Sequence, residues 1–222
     1  MLFCFSINIK SPISQLMNIL LSTAYFGPVQ YYLNINSATK VFIEVMEHYP
    51  KQTYRNRCVI YGANGPLALT IPVTRGNLLK TLTKEARIDY SVNWQKNHLR
   101  AILSAYSNSP YFEYYIDDIM PFFNNRFNFL IDYNNEILLK TCKLIGLPIN
   151  LSHTEVFQKT IANDYIDLRY KILPKKQKTN PDQSLNLPVY RQVFGPKSGF
   201  IENLSIIDLI FNTGPDAINY LQ

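Results

Sequence analysis

Arg55, Asn56 and Arg57 stand together at the entrance of the segment running from Tyr54 to Val73, which reads as a β-hairpin around Gly62-Ala-Asn-Gly65. Side chains two apart on a strand share a face, so Arg55 and Arg57 are expected side by side. Guanidinium forks match phosphate or carboxylate bidentately. The two arginines and the Asn56 amide therefore predict an anion site able to grip a diphosphate. Glu44 and Glu47, at the end of the preceding strand, are the competing partners that would neutralise the arginines instead. Glu44 is also a candidate catalytic base, although two lone carboxylates make a poor metal site.

Trp94 and His98 sit one helical turn apart. They share a stripe with Ile102 and Tyr106, and Leu99 and Leu103 lie beside it. A histidine beside an aromatic ring can move a proton, and the ring can stack on a base or sugar. The same spacing also suits a hydrogen-bonded histidine at the edge of a core. Tyr25-Phe-Gly-Pro28 reads as a strand-to-helix turn, where free N–H groups favour anions, without a G-x-G-x-x-G or Walker lysine pattern. Ser205-Ile-Ile-Asp208 matches the capping-box spacing, which makes Asp208 a helix-cap partner. Asn203 and Tyr190 receive a similar structural reading. No nucleophile-elbow or Ser-His-Asp pattern is present. His98 and Glu44 are thus the catalytic candidates; Tyr25, Arg55, Asn56, Arg57, Trp94 and Tyr106 are the substrate-binding ones.

These residues need elements to position them. A buried strand is expected over Asn18–Tyr25, a helix from Pro28 to about Ser37 and a second strand over Lys40–Met46. That β-α-β opening implies a right-handed crossover and a parallel pair, with ligands beyond the carboxyl ends of the strands. Tyr25, Phe26, Gly27, Glu44 and Glu47 lie at those ends. The hairpin strands are expected over Arg57–Tyr61 and Leu67–Val73, with another short strand over Lys84–Ile88. The period then becomes helical: one helix from Ser91, one over Tyr111–Phe123, one over Ile131–Leu144 closed by Gly146 and Pro148, and a short one over Ile206–Phe211. Residues 150–185 give little periodic signal, and Pro174–Pro181 reads as a basic loop. The fold class is α/β: a β-α-β opening with a mixed sheet and β-hairpin, followed by a helical C-terminal half.

Composition narrows the partners. The net charge is +6, with a pI of about 9.1, which biases the chain toward anionic partners. A nucleotide or nucleotide-sugar fits best. The alternative is a non-catalytic binding module for RNA or a protein partner; the RNA reading rests on the cluster Lys171–Lys178 and is the weaker because no run of five or more basic residues occurs. The 16 Tyr and 13 Phe supply both core area and stacking surface. Three widely spaced cysteines suggest reduced thiols and a cytoplasmic protein, and the scattered histidines argue against zinc. Nothing identifies a cofactor. Residues 1–18 read as a non-structural extension, with Met17 a candidate start, and residues 19–222 as one α/β domain. Neither a secretory signal nor a membrane span is expected.

Several segments together resemble the WbqC-like family. They are Ala24-Tyr-Phe-Gly-Pro-Val-Gln-Tyr31, Glu44 to Glu47, Lys51-Gln-Thr-Tyr-Arg-Asn-Arg-Cys58, and the hairpin end Leu69-Thr-Ile-Pro-Val73. Ile88-Asp89, Trp94-Gln-Lys-Asn-His98, Ala105-Tyr106 and Ser109-Pro-Tyr-Phe112 follow, then Tyr190-Arg-Gln-Val-Phe194 and the tail Phe200 to Pro215. The resemblance runs from about residue 19 to the end. The chain departs from the pattern in lacking the Gln-Pro start and Trp-Gly pair of many members, and in carrying Glu202 where Pro is usual. Longer members are associated with O-antigen and other surface-polysaccharide clusters. The resemblance thus implies an enzyme acting on an activated sugar, by acyl or aminoacyl transfer, and carries over candidacy at Tyr25, Arg55, Asn56, Arg57, Trp94, His98 and Tyr106.

Overall fold

The computed structural model describes residues 17–74, 81–161, 164–174 and 187–222. Residues 1–16 of the expected extension (1–18) and most of the expected basic loop lie outside the described residues, whereas Met17 and Asn18, also assigned to that extension, begin the first strand. Strand β1 (Met17–Ser22) is joined through helix α1 (Val29–Asn36) to strand β2 (Ala38–Glu44), and the two strands pair in parallel. β1 ends three residues earlier than its apolar run suggests. The Tyr25 N–H is taken by the Tyr54 carbonyl, and Phe26 turns the chain at φ 39°, a left-handed conformation that costs a bulky residue about 1–3 kcal/mol. The start of the last helix holds that turn: Ser205 Oγ donates to the Phe26 carbonyl and the Ile206 N–H to the Gly27 carbonyl. β2 stops at Glu44 because that carboxylate takes the Met46 N–H and Thr154 Oγ1 takes the Val45 N–H.

Two strands of three residues, β5 (Leu151–His153) and β6 (Tyr165–Asp167), complete the sheet. The order is β5-β2-β1-β6, with every neighbour parallel. Strands β3 (Arg57–Gly62) and β4 (Gly65–Thr70) form a separate antiparallel pair. The hairpin turn is tighter than expected, because Gly65 adopts φ 107° and closes a two-residue loop. The Lys84–Ile88 strand is not formed. A 3-10 turn over Thr83–Glu85 replaces it, because the Thr83 and Lys84 N–H groups go to the carbonyls of Glu47 and Val45. Only isolated bridges follow, at Arg87 and Ile88.

Helix α2 (Trp94–Tyr106) buries the stripe read from the sequence, Trp94, His98, Ile102 and Tyr106, and Ala105 with it. The segment expected as one helix over Tyr111–Phe123 is two, α3 (Phe112–Ile119) and α4 (Pro121–Asn124), divided where Pro121 has no N–H to donate. Helices α5 (Leu130–Leu144) and α6 (Gly195–Ser198) follow. Helix α7 (Ile206–Thr213) is buried at every position, and a 3-10 segment, Gly214–Leu221, ends the chain. The result is an α/β fold of a parallel four-stranded sheet plus an antiparallel pair, with helices mainly in the C-terminal half. No helix among the described residues is long and apolar enough to cross a membrane.

The stop after α7 requires glycine twice over. Gly214 lies at φ 56°, and a Cβ there would sit 2.4 Å from a Tyr111 ring carbon. Gly214→Ala is expected to lose about 2 kcal/mol in urea unfolding. Adding Tyr111→Ala should remove the clash but not the backbone strain. A single variant as stable as the wild type would refute this account of the turn.

Candidate functional site

The carboxyl ends of β1, β2 and β6 gather a network of ion pairs. Arg55 Nη2 lies 2.6 Å from Glu47 Oε1, and its Nε donates to the same oxygen at 2.7 Å. Arg169 grips Asp167 with Nε and Nη2, at 3.0 Å to Oδ1 and 2.7 Å to Oδ2. Its Nη1 reaches Glu44 Oε2 at 2.9 Å and the Gln158 carbonyl. Tyr170 donates to Glu47 Oε2 at 2.7 Å, and Thr154 donates to Glu44 Oε1 at 2.8 Å. The two arginines and Glu44 and Glu47 are all buried, while the Asp167 side chain is 35% exposed.

Burial pushes the Asp167 carboxyl up, but the hydrogen bonds and charge of Arg169 outweigh it and hold the group below its ordinary range. A carboxyl depressed in the folded state stabilises above its unfolded pKa, and that stability is lost as pH falls through the folded value. Burial, with the Glu47 hydrogen bond second, pushes the Tyr170 phenol up to about 12, so it stays a donor. Glu44, Glu47 and Asp167 set three negative charges against the two of Arg55 and Arg169. The charge of Lys171 also acts on Asp167, so the edge is polar with its charges nearly balanced.

The expected arginine pair is not formed. β3 begins only at Arg57, after Gln52 has turned the chain at φ 60°, so the strand period does not reach back to Arg55. Arg55 is buried on Glu47. Arg57 lies on the hairpin, half-buried, with Nε on Thr70 Oγ1 at 3.1 Å. Asn56 clasps the hairpin, its amide donating to the Ile71 carbonyl at 2.8 Å. The competing reading of Glu47 as the partner of Arg55 is the one the structure shows; Glu44 serves Arg169 instead.

Tyr25, Trp94 and His98 do come together, inside the protein and apart from Glu44. Tyr25 is 0% exposed, Trp94 3% and His98 6%. The Tyr25 hydroxyl and His98 Nδ1 are hydrogen-bonded at 3.0 Å. Burial lowers the His98 pKa to about 4, against the smaller opposing effect of Thr70, so the ring is neutral at physiological pH. Tyr106, two turns further along α2, belongs to another cluster. Its hydroxyl donates to Asp208 Oδ1 at 2.8 Å, and Tyr190 and Gln192 donate to Oδ2 at 2.7 and 3.0 Å. Asp208 is thus no capping partner. The Ser205 side chain caps nothing, and its hydroxyl is spent on Phe26. Asn203, at φ 58°, exchanges hydrogen bonds with Gln30.

Sequence reasoning missed Asp167, Arg169 and Tyr170. The usable signal was the Asp-Leu-Arg spacing over 167–169, which puts opposite charges on one side of an extended segment. Of the basic cluster, Lys175, Lys176 and Lys178 lie outside the described residues.

Architecture and edge together define a mixed α/β protein with a parallel four-stranded sheet and an antiparallel pair. The profile of the WbqC-like protein family matches residues 23–180 and 183–220, and the chain belongs to that family. It is also similar to an uncharacterized protein of Mycobacterium tuberculosis, Rv1507c. The two are 24% identical over 197 residues, covering 78% of this chain and 84% of that one. No solved structure matches it.

Proposed function

We propose that the chain is an enzyme of surface-polysaccharide biosynthesis that binds an activated sugar at the carboxyl edge of its parallel sheet and catalyses acyl or aminoacyl transfer. The observation that supports this most is the ion-pair network ending in a half-exposed Asp167. Beside it stand two open aromatic rings, Phe157 at 42% and Tyr170 at 48% exposure. A carboxylate accepts hydrogen bonds from sugar hydroxyls, and aromatic faces take the apolar side of a pyranose ring. Arg169 holds Asp167, and Glu44 holds Arg169. In this reading Glu44 is a positioning residue, and Asp167, Phe157 and Tyr170 touch the ligand.

The test is thermal unfolding of the full chain against a panel of nucleotide-sugars, followed by calorimetry on any donor that stabilises it. A donor at about 100 times its dissociation constant should add roughly 2.7 kcal/mol. Asp167→Asn and Tyr170→Ala should each weaken its binding about ten-fold. A flat panel, or variants that bind as the wild type does, would overturn the reading.

A further inference from the structure

The connection leaving β5 passes Glu44 at Thr154 and reaches Arg169, just beyond β6, at Gln158. β5 and β6 are the two flanks of the sheet, so this connection runs along the carboxyl edge. We propose, resting on the sugar-site reading above, that residues 155–160 are a lid over that edge, held open by Arg169 and released when a ligand engages Asp167. The hinge is fixed at Thr154. Its N–H donates to the Ile43 carbonyl at 3.0 Å. Its Oγ1 accepts the Val45 N–H at 3.1 Å and donates to Glu44 Oε1 at 2.8 Å.

Residues 155–160 are all exposed and form no helix or strand. Among the described residues, the hydrogen bond and the ring contact they make with the rest of the fold both fall on one guanidinium. Arg169 Nη1 donates to the Gln158 carbonyl at 2.9 Å, and the Phe157 ring centroid lies 5.2 Å from Arg169 Cζ. A segment tied down through a single group stays or moves as that group is held or loosened. Val156 is 69% exposed and Phe157 42%, so the segment carries two apolar side chains to the lip of a polar edge and leaves them in water. Folding them onto a bound pyranose would take them out of water.

The latch has one part that a ligand can reach. The Arg169 and Glu44 side chains are 1% exposed and that of Asp167 is 35% exposed. Asp167 holds Nε and Nη2 of Arg169, which aims Nη1 at Gln158. Sugar hydroxyls donating to Asp167 compete with those bonds, loosen the guanidinium and release Gln158 and Phe157 together. The Phe157 ring then exchanges a guanidinium for the sugar face. That exchange is the differential affinity a ligand needs in order to shift the lid. Closure also shuts water out of the edge, which favours transfer over hydrolysis.

Trypsin reads the lid at Lys159, whose bond to Thr160 lies within it. The full chain is digested briefly, and the cut after Lys159 is measured by mass spectrometry against the cut after Lys96 in α2. With no ligand present, Asp167→Asn and Phe157→Ala should each speed the Lys159 cut about five-fold, by raising the population of released lid. Glu113→Gln, which takes the same charge from an exposed position on α3, should not. An unchanged Lys159 cut in Asp167→Asn, an equal rise at Lys96, or an equal rise in Glu113→Gln would overturn the proposal. A second arm adds the nucleotide-sugars of the panel above, UDP-glucose among them. A donor that gives binding heat should slow the Lys159 cut about ten-fold as the lid closes. Heat with an unslowed cut would overturn the lid and leave the sugar-site reading standing. A panel without heat would overturn the sugar-site reading, while the ligand-free arm still decides the latch.

Discussion

Arg55→Met is expected to destabilise the protein by about 3–5 kcal/mol, because it strands the Glu47 carboxylate in the interior. Glu47 would keep the Tyr170 hydroxyl at 2.7 Å and a long contact from Thr83 at 3.5 Å, but no cation. Desolvation of that anion is the dominant cost, so removing both partners should be far milder. Arg55→Met combined with Glu47→Leu is expected to recover most of the loss. A double-mutant cycle in urea reads this directly. A double variant no better than the single would mean that Arg55 acts through packing under Tyr170, whose ring lies 5.8 Å from the guanidinium, and not through charge. The Arg55 carbonyl also accepts Asn134 Nδ2 at 2.8 Å. That bond survives the substitution and keeps α5 seated on the carboxyl edge.

The second large effect is at Asp208. This carboxylate is 0% exposed and has three donors but no cation in its hydrogen-bond shell. Burial raises its pKa, and the hydrogen bonds from Tyr190, Tyr106 and Gln192 only partly oppose the rise. Asp208→Asn would turn one acceptor oxygen into an amine facing Tyr190 and Gln192. About 3 kcal/mol should be lost at neutral pH, as donors are left facing donors. The pH dependence has a definite sign. A carboxyl with a raised folded pKa binds its proton more tightly when folded, so it favours folding most at acid pH. That contribution falls as pH rises from the unfolded value through the folded one. The advantage of the wild type over Asp208→Asn should therefore shrink across that window and stay level above it. Parallel stability curves for the two proteins would show that Asp208 does not titrate with folding.

The parts of the fold visible in the sequence are those whose signal is local. The β-α-β opening followed from an apolar run, Gly27-Pro28 and a second apolar run. The α2 stripe followed from four residues at helical spacing. β5 and β6 escaped because three residues establish no period, and parallel partners far off in the chain decide whether they pair. The error at Arg55 and Arg57 has the same origin. Period two was applied across a turn at Gln52, where only a strand would sustain it. At Ser205 and Asp208 the capping spacing was present, but Phe26 and Tyr106, from distant segments, supplied better partners. The carboxyl edge was half legible, through Glu44 and Glu47, and the residues completing it lie in the stretch with the least periodic signal.

The strand order also governs how the chain emerges during synthesis. β1 and β2 are the central strands, yet both of their flanking strands lie beyond residue 150. Until those segments leave the ribosome, the β1–β2 pair has two unsatisfied edges, and parallel pairing across long separations is slow. α7, buried at all eight positions, arrives later still and straps the β1–α1 turn. A nascent chain halted before residue 200 would hold a strained Phe26 turn without the Ser205 and Ile206 hydrogen bonds that fasten it. Completion of this protein is thus a late event, and premature termination should yield aggregation-prone fragments rather than a smaller stable domain.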